Sequence, residues 1–419
     1  MLKIFNKKKF KINLSWLIFD KVFRASLNIL LSVILARGLG PENYGILNYL
    51  LAFIFLFSSL SSLGMNQVLT NLIIKSKKIN NHEVIMGAYY LRFILSLLSY
   101  FVFLILINYL NKENFYYNFS LILGIGIILK SCEIFFSYFE AKSFSKYIVI
   151  SQSLGIVISA IFIIFSIINK LDLIFIYYGL VVDVFVVFVF VNLFYYSQTQ
   201  NFLVRFNFSY VKKLILKSLP VLISTISIIL YMRIDQIMIN NMVGEYDLGL
   251  YSVSVRYIEI FHFIPKIIMI SILPILLLNK KYVYNLLILN SYIFKLALII
   301  VVIIFFSSEY LIPLIFGDVY QKSVTTTQIL SFSIIFVFYG VVNEHWYISK
   351  NLQKFYAINV FIGAVMNIIL NFFFISKFGI NGAAYSTVVT YFFIVFIFDY
   401  LNYETRNLLM VKFKSLFKI

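Results

Sequence analysis

One cysteine, five prolines and two tryptophans stand in a chain of 419 residues, and only 12% of it is charged. The single Cys132 excludes an internal disulfide and any multi-cysteine metal site. The scarcity of charge excludes more. Soluble domains carry about 25% charged and about 45–50% apolar residues, whereas 62% of this chain is hydrophobic. There is too little polar side chain to cover two or three soluble domains, and too much apolar side chain for a disordered or fibrous protein. A polytopic, all-α membrane protein remains. Acid is the scarcer sign, with 17 Asp+Glu against 35 Lys+Arg and a net charge of +18. In a soluble protein that excess would point to nucleic acid. Abundant Ile, Phe, Tyr, Asn and Lys beside little Ala also fit an AT-rich coding sequence, so where the positives sit matters more than their number.

Motifs for chemistry are missing too. There is no G-x-x-x-x-G-K-[ST], no H-E-x-x-H and no G-x-S-x-G. Closely spaced Asp pairs that could hold a metal–sugar nucleotide are absent. His82, His262 and His345 lie on three different segments and do not suggest a shared metal site. Gly124-Ile-Gly126 lacks a third glycine and sits mid-span, where helix packing explains it. No metal, no cofactor and no enzymatic activity are expected; transport is.

A bilayer core of about 30 Å takes about 20 apolar residues as helix. Apolar runs between breaks give about twelve spans, near 14–36, 46–64, 84–107, 115–138, 147–168, 171–195, 209–232, 248–278, 285–306, 325–348, 355–376 and 381–402. Lys3, Lys7, Lys8, Lys9 and Lys11 before the first span resemble the basic start of a signal peptide. Its apolar run is broken by Asp20, Lys21 and Arg24, however, and no A-x-A site follows, so it reads as a retained helix. With the N-terminus inside, 22 Lys/Arg fall on inner segments and 6 on outer ones. The alternation holds at every loop, and it predicts N-in, C-in topology. Only seven positives remain within spans: Lys21, Arg24, Arg92, Lys130, Arg256, Lys266 and Lys295.

No loop is long enough for an extramembrane domain. The polar stretch 196–217 falls between spans six and seven. The expected organisation is an N-terminal lobe over 1–195, a cytoplasmic linker over 196–217 that runs into helix seven, and a C-terminal lobe over 209–419. A short repeat agrees with it. Gly40-Pro-Glu-Asn-Tyr-Gly45 follows span one and Gly244-Glu-Tyr-Asp-Leu-Gly249 follows span seven, 204 residues apart. Two six-helix halves of the same orientation make a parallel repeat about an axis along the membrane normal.

A charge inside a span costs about 2.5–3.5 kcal/mol on insertion scales, so each needs a reason. In span one, Asp20, Lys21, Arg24 and Asn28 share about 100° of arc, and Asp20 can pair with Arg24. In span eight, Arg256, Glu259, His262 and Lys266 cover about 120° of one face, with Pro265 and Pro274 inviting kinks. Each stripe reads either as an ion-paired helix seam or as the wall of a polar cavity. Lys130 and Glu133 in span four are i, i+3 and read as mutually neutralising, with Glu140 toward the inner end. Arg92, Asp183 and Lys295 either snorkel or join the interior. Arg233 and Asp235 fall at the outer end of span seven, as an interfacial cap or a gate. An interior with positives in excess calls for an anion, and arginine suits phosphate oxygens; a lipid with a phosphate or pyrophosphate head fits a cavity open to the bilayer.

Four segments carry a resemblance. Ala36-Arg-Gly-Leu-Gly-Pro-Glu-Asn-Tyr-Gly-Ile-Leu-Asn48 resembles the A-R-x-L-G-P-E-x-Y-G segment after the first helix of Wzx-type polysaccharide-biosynthesis flippases, the O-antigen translocases. Arg233-Ile-Asp-Gln-Ile-Met-Ile, with Gly244 and Gly249-Leu-Tyr-Ser-Val-Ser, is similar to that family's seventh-to-eighth helix signature. Ile315-Phe-Gly-Asp-Val-Tyr with Gln328-Ile-Leu, and Phe378-Gly-Ile-Asn-Gly-Ala-Ala-Tyr-Ser, resemble its outer loops. The resemblance implies the multidrug/oligosaccharidyl-lipid/polysaccharide exporter fold, a V of two six-helix lobes around a cavity lined by helices one, two, seven and eight. It implies a flippase in the bacterial inner membrane that moves undecaprenyl-pyrophosphate-linked oligosaccharide to the outer leaflet for O-antigen or capsule export. Partners on this reading are the lipid-linked oligosaccharide, the bilayer, a proton or sodium gradient and other polysaccharide-assembly proteins, but not nucleic acid. By position, Lys21, Arg24, Asn28, Arg256 and Lys266 become head-group contacts. Asp20, Glu259, His262, Arg233 and Asp235 become coupling or gating candidates, and the lobes would rock about the 196–217 linker. Two rivals stay open. An ion-coupled drug or organic-cation antiporter of the same fold would want acidic cavity residues, and a membrane-embedded glycan polymerase or ligase would want a large, arginine-bearing outer loop.

Overall fold

A computed structural model describes residues 7–75, 81–111, 113–200, 208–278, 282–350, 352–401, 403, 405, 406 and 412. Helices α1–α15 follow in order: α1 Lys7–Ser62, α2 Met65–Lys75, α3 Asn81–Leu110, α4 Asn114–Leu129, α5 Ile134–Ala141, α6 Ser145–Ile168, α7 Leu173–Thr199, α8 Phe208–Met242, α9 Glu245–Glu259, α10 Phe263–Leu278, α11 Tyr282–Phe316, α12 Ser323–Ser331, α13 Ser333–Ser349, α14 Gln353–Phe392 and α15 Phe398–Leu401. Among the described residues there is no strand. Without water to take up peptide groups, a lipid-embedded backbone must bond to itself, and the helix does this within one segment. Large apolar side chains such as Ile105, Phe306 and Leu314 lie about 70% exposed on helix faces, as lipid allows and water does not.

Nine helical runs among the described residues are long and apolar enough to cross a membrane. The difference from the twelve expected lies at three places. Runs of 55 residues (Asp20–Ile74) and 49 residues (Gln353–Leu401) each exceed one bilayer; the first is broken at Gly40 and the second at Gly379, both with left-handed φ. The run 245–278 is not among the nine; it consists of α9 and α10 with a 3₁₀ turn, Ile260–His262, between them. Helix α8 reaches Met242, ten residues past the expected end of span seven. Arg233 and Asp235 therefore sit inside a helix, 9% and 5% exposed.

Contacts divide the chain into two compact units: Met1–Ile34 with Leu50–Ile229, and Leu35–Tyr49 with Leu230–Ile419. In the first unit, small residues let helices close. Ser159 on α6 donates to the Gly179 carbonyl on α7 at 2.7 Å, and a Cβ at Gly155 would meet Asp183 Oδ1 at 2.5 Å. The expected Lys130–Glu133 pair does not form. Glu133 instead takes Arg92 at 2.7 Å, Arg92 also donates to Asn66 Oδ1 at 2.9 Å, and Lys130 lies over the Phe55 ring. Arg92 is 2% exposed and joins the interior; a buried guanidinium outcompetes a local helical neighbour because it has nowhere else to place its charge. Lysine lacks the planar fork whose two separate nitrogens reach Asn66 and Glu133 here. Arg92→Lys is therefore expected to lower stability by about 1.5–3 kcal/mol, the worth of one charged hydrogen bond, read from thermal unfolding in detergent.

In the second unit, Lys412, assigned to the inner solvent by its place in the sequence, is fully buried. Its ammonium pairs with Asp399, donates to the Val395 carbonyl and lies 5.6 Å from the Phe396 ring centroid. Val395 belongs to a π-helical turn, Phe393–Ile397. Such a turn offsets the regular i→i−4 ladder and offers carbonyls to other donors. Asp399 also accepts the Tyr347 hydroxyl at 2.5 Å. Burial lowers the Lys412 pKa from its ordinary value, and Asp399 opposes that drop.

Candidate functional site

The residues around the repeat hold Leu35–Tyr49 in place within the second unit. Gly40 and Gly244 have φ of 73° and 119°, which turn the chain between helices. Pro41 and Glu245, 204 residues apart, then open the next helical stretches. One turn on, these stretches touch backbone to backbone. A Cβ at Gly45 would lie 1.9 Å from the Glu245 carbonyl oxygen, and a Cβ at Gly249 would lie 1.9 Å from that of Pro41. Only glycine fits at either place. Tyr320 donates to the Ala36 carbonyl at 2.8 Å and Arg37 donates to the Ile315 carbonyl at 2.7 Å, tying Leu35–Tyr49 to the rest of the unit.

Below this crossing lies a charged cluster. Arg233 on α8 meets Glu259 Oε1 at 3.3 Å, and Arg256 on α9 meets Glu259 Oε2 at 3.1 Å. Tyr44, 2% exposed, lies beside Arg256. These three formal charges sum to +1, and Asp235, within the field of Arg233, brings the cluster to zero. Asp235, two residues from Arg233, accepts the Tyr251 hydroxyl and the Gln236 amide, the latter at 2.8 Å. A cavity of about 50 Å³ opens among Tyr231, Asp235, Tyr251, Glu259, His262 and Tyr391. That is room for a few water molecules or one small ion, not for a sugar. His262 Nε2 is buried there without a hydrogen-bond partner.

Of the four span-eight candidates, the structure brings Arg256, Glu259 and His262 to this cavity wall and cluster, with Arg233 and Asp235 added from α8. Lys266 is exposed and makes no ion pair among the described residues. The turn Ile260–His262 advances about 120° per residue where an α-helix advances about 100°, so the single face expected for Arg256 through Lys266 is offset between Glu259 and Lys266.

In the first unit, Asp20 is 9% exposed and Arg24 lies 3.9 Å away, half-buried. Asp20 Oδ1 has no partner. Lys21 and Asn28 on the same stretch are exposed. Asp183 on α7 lies within the field of Arg24 and Lys130. Here too the positives exceed the carboxylate that pairs with them. Sequence reading missed Tyr44, Tyr251 and Tyr391, since neutral tyrosines give no signal in a chain with 31 of them.

A family model described as polysaccharide biosynthesis protein matches residues 10–277. None of the curated proteins matches in sequence. A solved structure of the lipid II flippase MurJ, in an inward closed conformation, superposes with a TM-score of 0.76 at 16% identity, over 95% of this chain and 90% of that one. An inward-facing multidrug resistance MATE family transporter of the MOP superfamily gives 0.67 at 14% identity, over 94% and 96%. A MOP superfamily transporter from Pyrococcus furiosus, whose binding pocket is described as reversed in polarity, gives 0.59 at 13% identity, over 97% and 96%. These likenesses establish the fold of the exporter superfamily.

Proposed function

Because this chain belongs to the polysaccharide biosynthesis protein family, we propose that it is a flippase for lipid-linked oligosaccharides. It moves undecaprenyl-pyrophosphate-linked repeat units from the cytoplasmic to the outer leaflet of a bacterial inner membrane by alternating access, with N- and C-termini inside. The observation that supports this reading is the surplus of positive charge in the first unit, Lys21, Arg24 and Lys130 against Asp20 and Asp183, beside the Arg233–Glu259–Arg256 cluster of the second. A diphosphate head group supplies the missing negative charge, and the guanidinium fork matches its oxygens. Arg24 and Lys21, with Asn28 beside them, receive the head group on the cytoplasmic side; Arg256 and Lys266 hold it later in the cycle. Asp235, Glu259, His262 and Asp20 are the places where a coupling proton or sodium ion acts, and Arg233 and Asp235 take part in gating. No step makes or breaks a covalent bond. Drug antiport on the same fold is the second reading, favoured by the likeness to MATE transporters. It wants anionic contacts for a cationic drug, and the surplus here has the opposite sign.

The test is reconstitution in liposomes with a fluorescent polyprenyl-pyrophosphate oligosaccharide, scored by exposure of the label in the outer leaflet. Arg24→Ala combined with Arg256→Ala is expected to slow transfer by about tenfold or more, from the loss of charged hydrogen bonds worth about 1.5–3 kcal/mol each. Unchanged transfer in that variant would remove the site assignment. Native protein no faster than empty liposomes, beside efflux of a cationic dye, would favour antiport.

A further inference from the structure

Glu259 sits where two arginines converge, with one carboxylate oxygen for each. Oε1 faces Arg233 at 3.3 Å and Oε2 faces Arg256 at 3.1 Å. The guanidiniums come from different helices, α8 and α9, so the cluster is a tertiary construction and not only a local i, i+3 pair. Arg233 is 11% exposed at its side chain and Arg256 28%. Two guanidiniums this close and this poorly hydrated repel each other unless an anion lies between them. The position between them is thus an anion site already built, and the chain fills it with its own carboxylate. A phosphate presents the same fork of oxygens to the same donors.

The surroundings are suited to letting that carboxylate leave. Glu259 is the last residue of α9, where the helix gives way to the 3₁₀ turn Ile260–His262. Its side chain lines the cavity of about 50 Å³. The same cavity presents His262 Nε2, buried and lacking a hydrogen-bond partner among the described residues. A buried polar atom left unsatisfied in one arrangement marks a partner available in another. With its ring proton on Nε2, His262 can receive the displaced carboxylate.

We propose that Arg233 and Arg256 form an anion site that Glu259 occupies as an internal counter-ion, and that a phosphate-bearing lipid head group binds there by displacing the Glu259 carboxylate toward His262. The identity of the anion rests on the flippase reading; the exchange itself does not. Glu259 then acts as a specificity and release element. It keeps the arginines neutralised when no lipid is bound, turns away weak anions, and returns to expel the head group once the opposite leaflet is open.

The experiment uses the full chain in detergent and a short isoprenyl pyrophosphate, farnesyl pyrophosphate, with farnesol as the headless control. Binding is read by calorimetry at fixed ionic strength. Glu259→Gln keeps the shape and removes the competing charge, and it is expected to tighten farnesyl pyrophosphate binding about tenfold or more while farnesol binding stays unchanged. His262→Ala, which removes the acceptor of the displaced carboxylate, is expected to weaken binding severalfold in the native background and to have no effect with Glu259→Gln. Glu259→Gln combined with Arg256→Gln is expected to bind no tighter than the native chain. If Glu259→Gln fails to fold, Glu259→Asp, which keeps the charge on a shorter arm, is expected to tighten binding by a smaller factor. A folded Glu259→Gln or Glu259→Asp protein that binds farnesyl pyrophosphate no tighter than native overturns the proposal. A native chain that fails to transfer lipid-linked oligosaccharide while Glu259→Gln tightens binding overturns the flippase reading and leaves the exchange standing.

Discussion

Gly249→Ala is expected to slow lipid transfer in the liposome assay by roughly tenfold to a hundredfold, with the protein still folded, because overpacking costs about 1–3 kcal/mol and each 1.4 kcal/mol is a factor of ten. The methyl group would lie 1.9 Å from the Pro41 carbonyl oxygen, with Pro41 Cα at 2.9 Å behind it. The obstacle is backbone, which cannot turn aside as a side chain can, so the two helical stretches must separate. Gly45→Ala meets the Glu245 carbonyl at the same 1.9 Å and is expected to give the same defect. In alternating access, a packing that seals one side of the membrane has to form once per cycle. A residue that blocks it raises the energy of that state and of no other. Gly340→Ala, with nothing within 4 Å of its Cβ and a helical backbone, is the control expected to transfer at the native rate. Native rates in both Gly45→Ala and Gly249→Ala would show that the crossing is not part of the cycle.

The second large effect concerns stability. Lys412→Met is expected to lower the unfolding free energy by about 3–5 kcal/mol, the usual result of removing one partner from a buried ion pair. Asp399 keeps the Tyr347 hydroxyl but loses its only charged donor among the described residues. Changing both members, Lys412→Met with Asp399→Asn, is expected to recover most of the loss, since no bare charge then stays buried. Trp346, one of two tryptophans in the chain, packs 5.5 Å from the Tyr347 ring and makes its fluorescence a local readout. Equal unfolding midpoints for the native chain and Lys412→Met would contradict the burial of this pair.

Much of the fold is legible in the sequence because lipid imposes a simple rule, a run of apolar residues as helix. The rule fails where a helix is kept by packing and not by lipid. Arg233, Asp235, Gln236 and Asn240 read as the end of span seven, yet α8 continues through them because neighbouring groups take up their polar atoms: Tyr251 for Asp235, Glu259 for Arg233. The same limit applies to pairing. Lys130 and Glu133 are neighbours in sequence, but Arg92 on another helix wins the carboxylate. Lys412 reads as one more cytoplasmic positive because nothing in a linear pattern foretells its pairing with Asp399. The candidate site was legible as a set of residue types within spans, and Arg256, Glu259 and His262 do fall together. The role of Arg233 was not, since it sits 26 positions before Glu259 and meets it only through tertiary packing.

The reciprocal contact at Gly45 and Gly249 also bears on how such a chain arises. A residue that meets its counterpart's neighbour, while the counterpart meets its own neighbour, is the pattern two identical subunits make about a two-fold axis. A single repeat, present as two separate copies, would make this contact with itself, and one glycine substitution would clash twice. Fusing the copies lets the duplicate positions diverge. At the 204-residue offset, Arg233, Arg256 and Glu259 correspond to Ile29, Ala52 and Phe55. The glycines recur across the offset while Arg233, Arg256 and Glu259 have no charged counterpart, so the two repeats share the backbone contact but not this cluster.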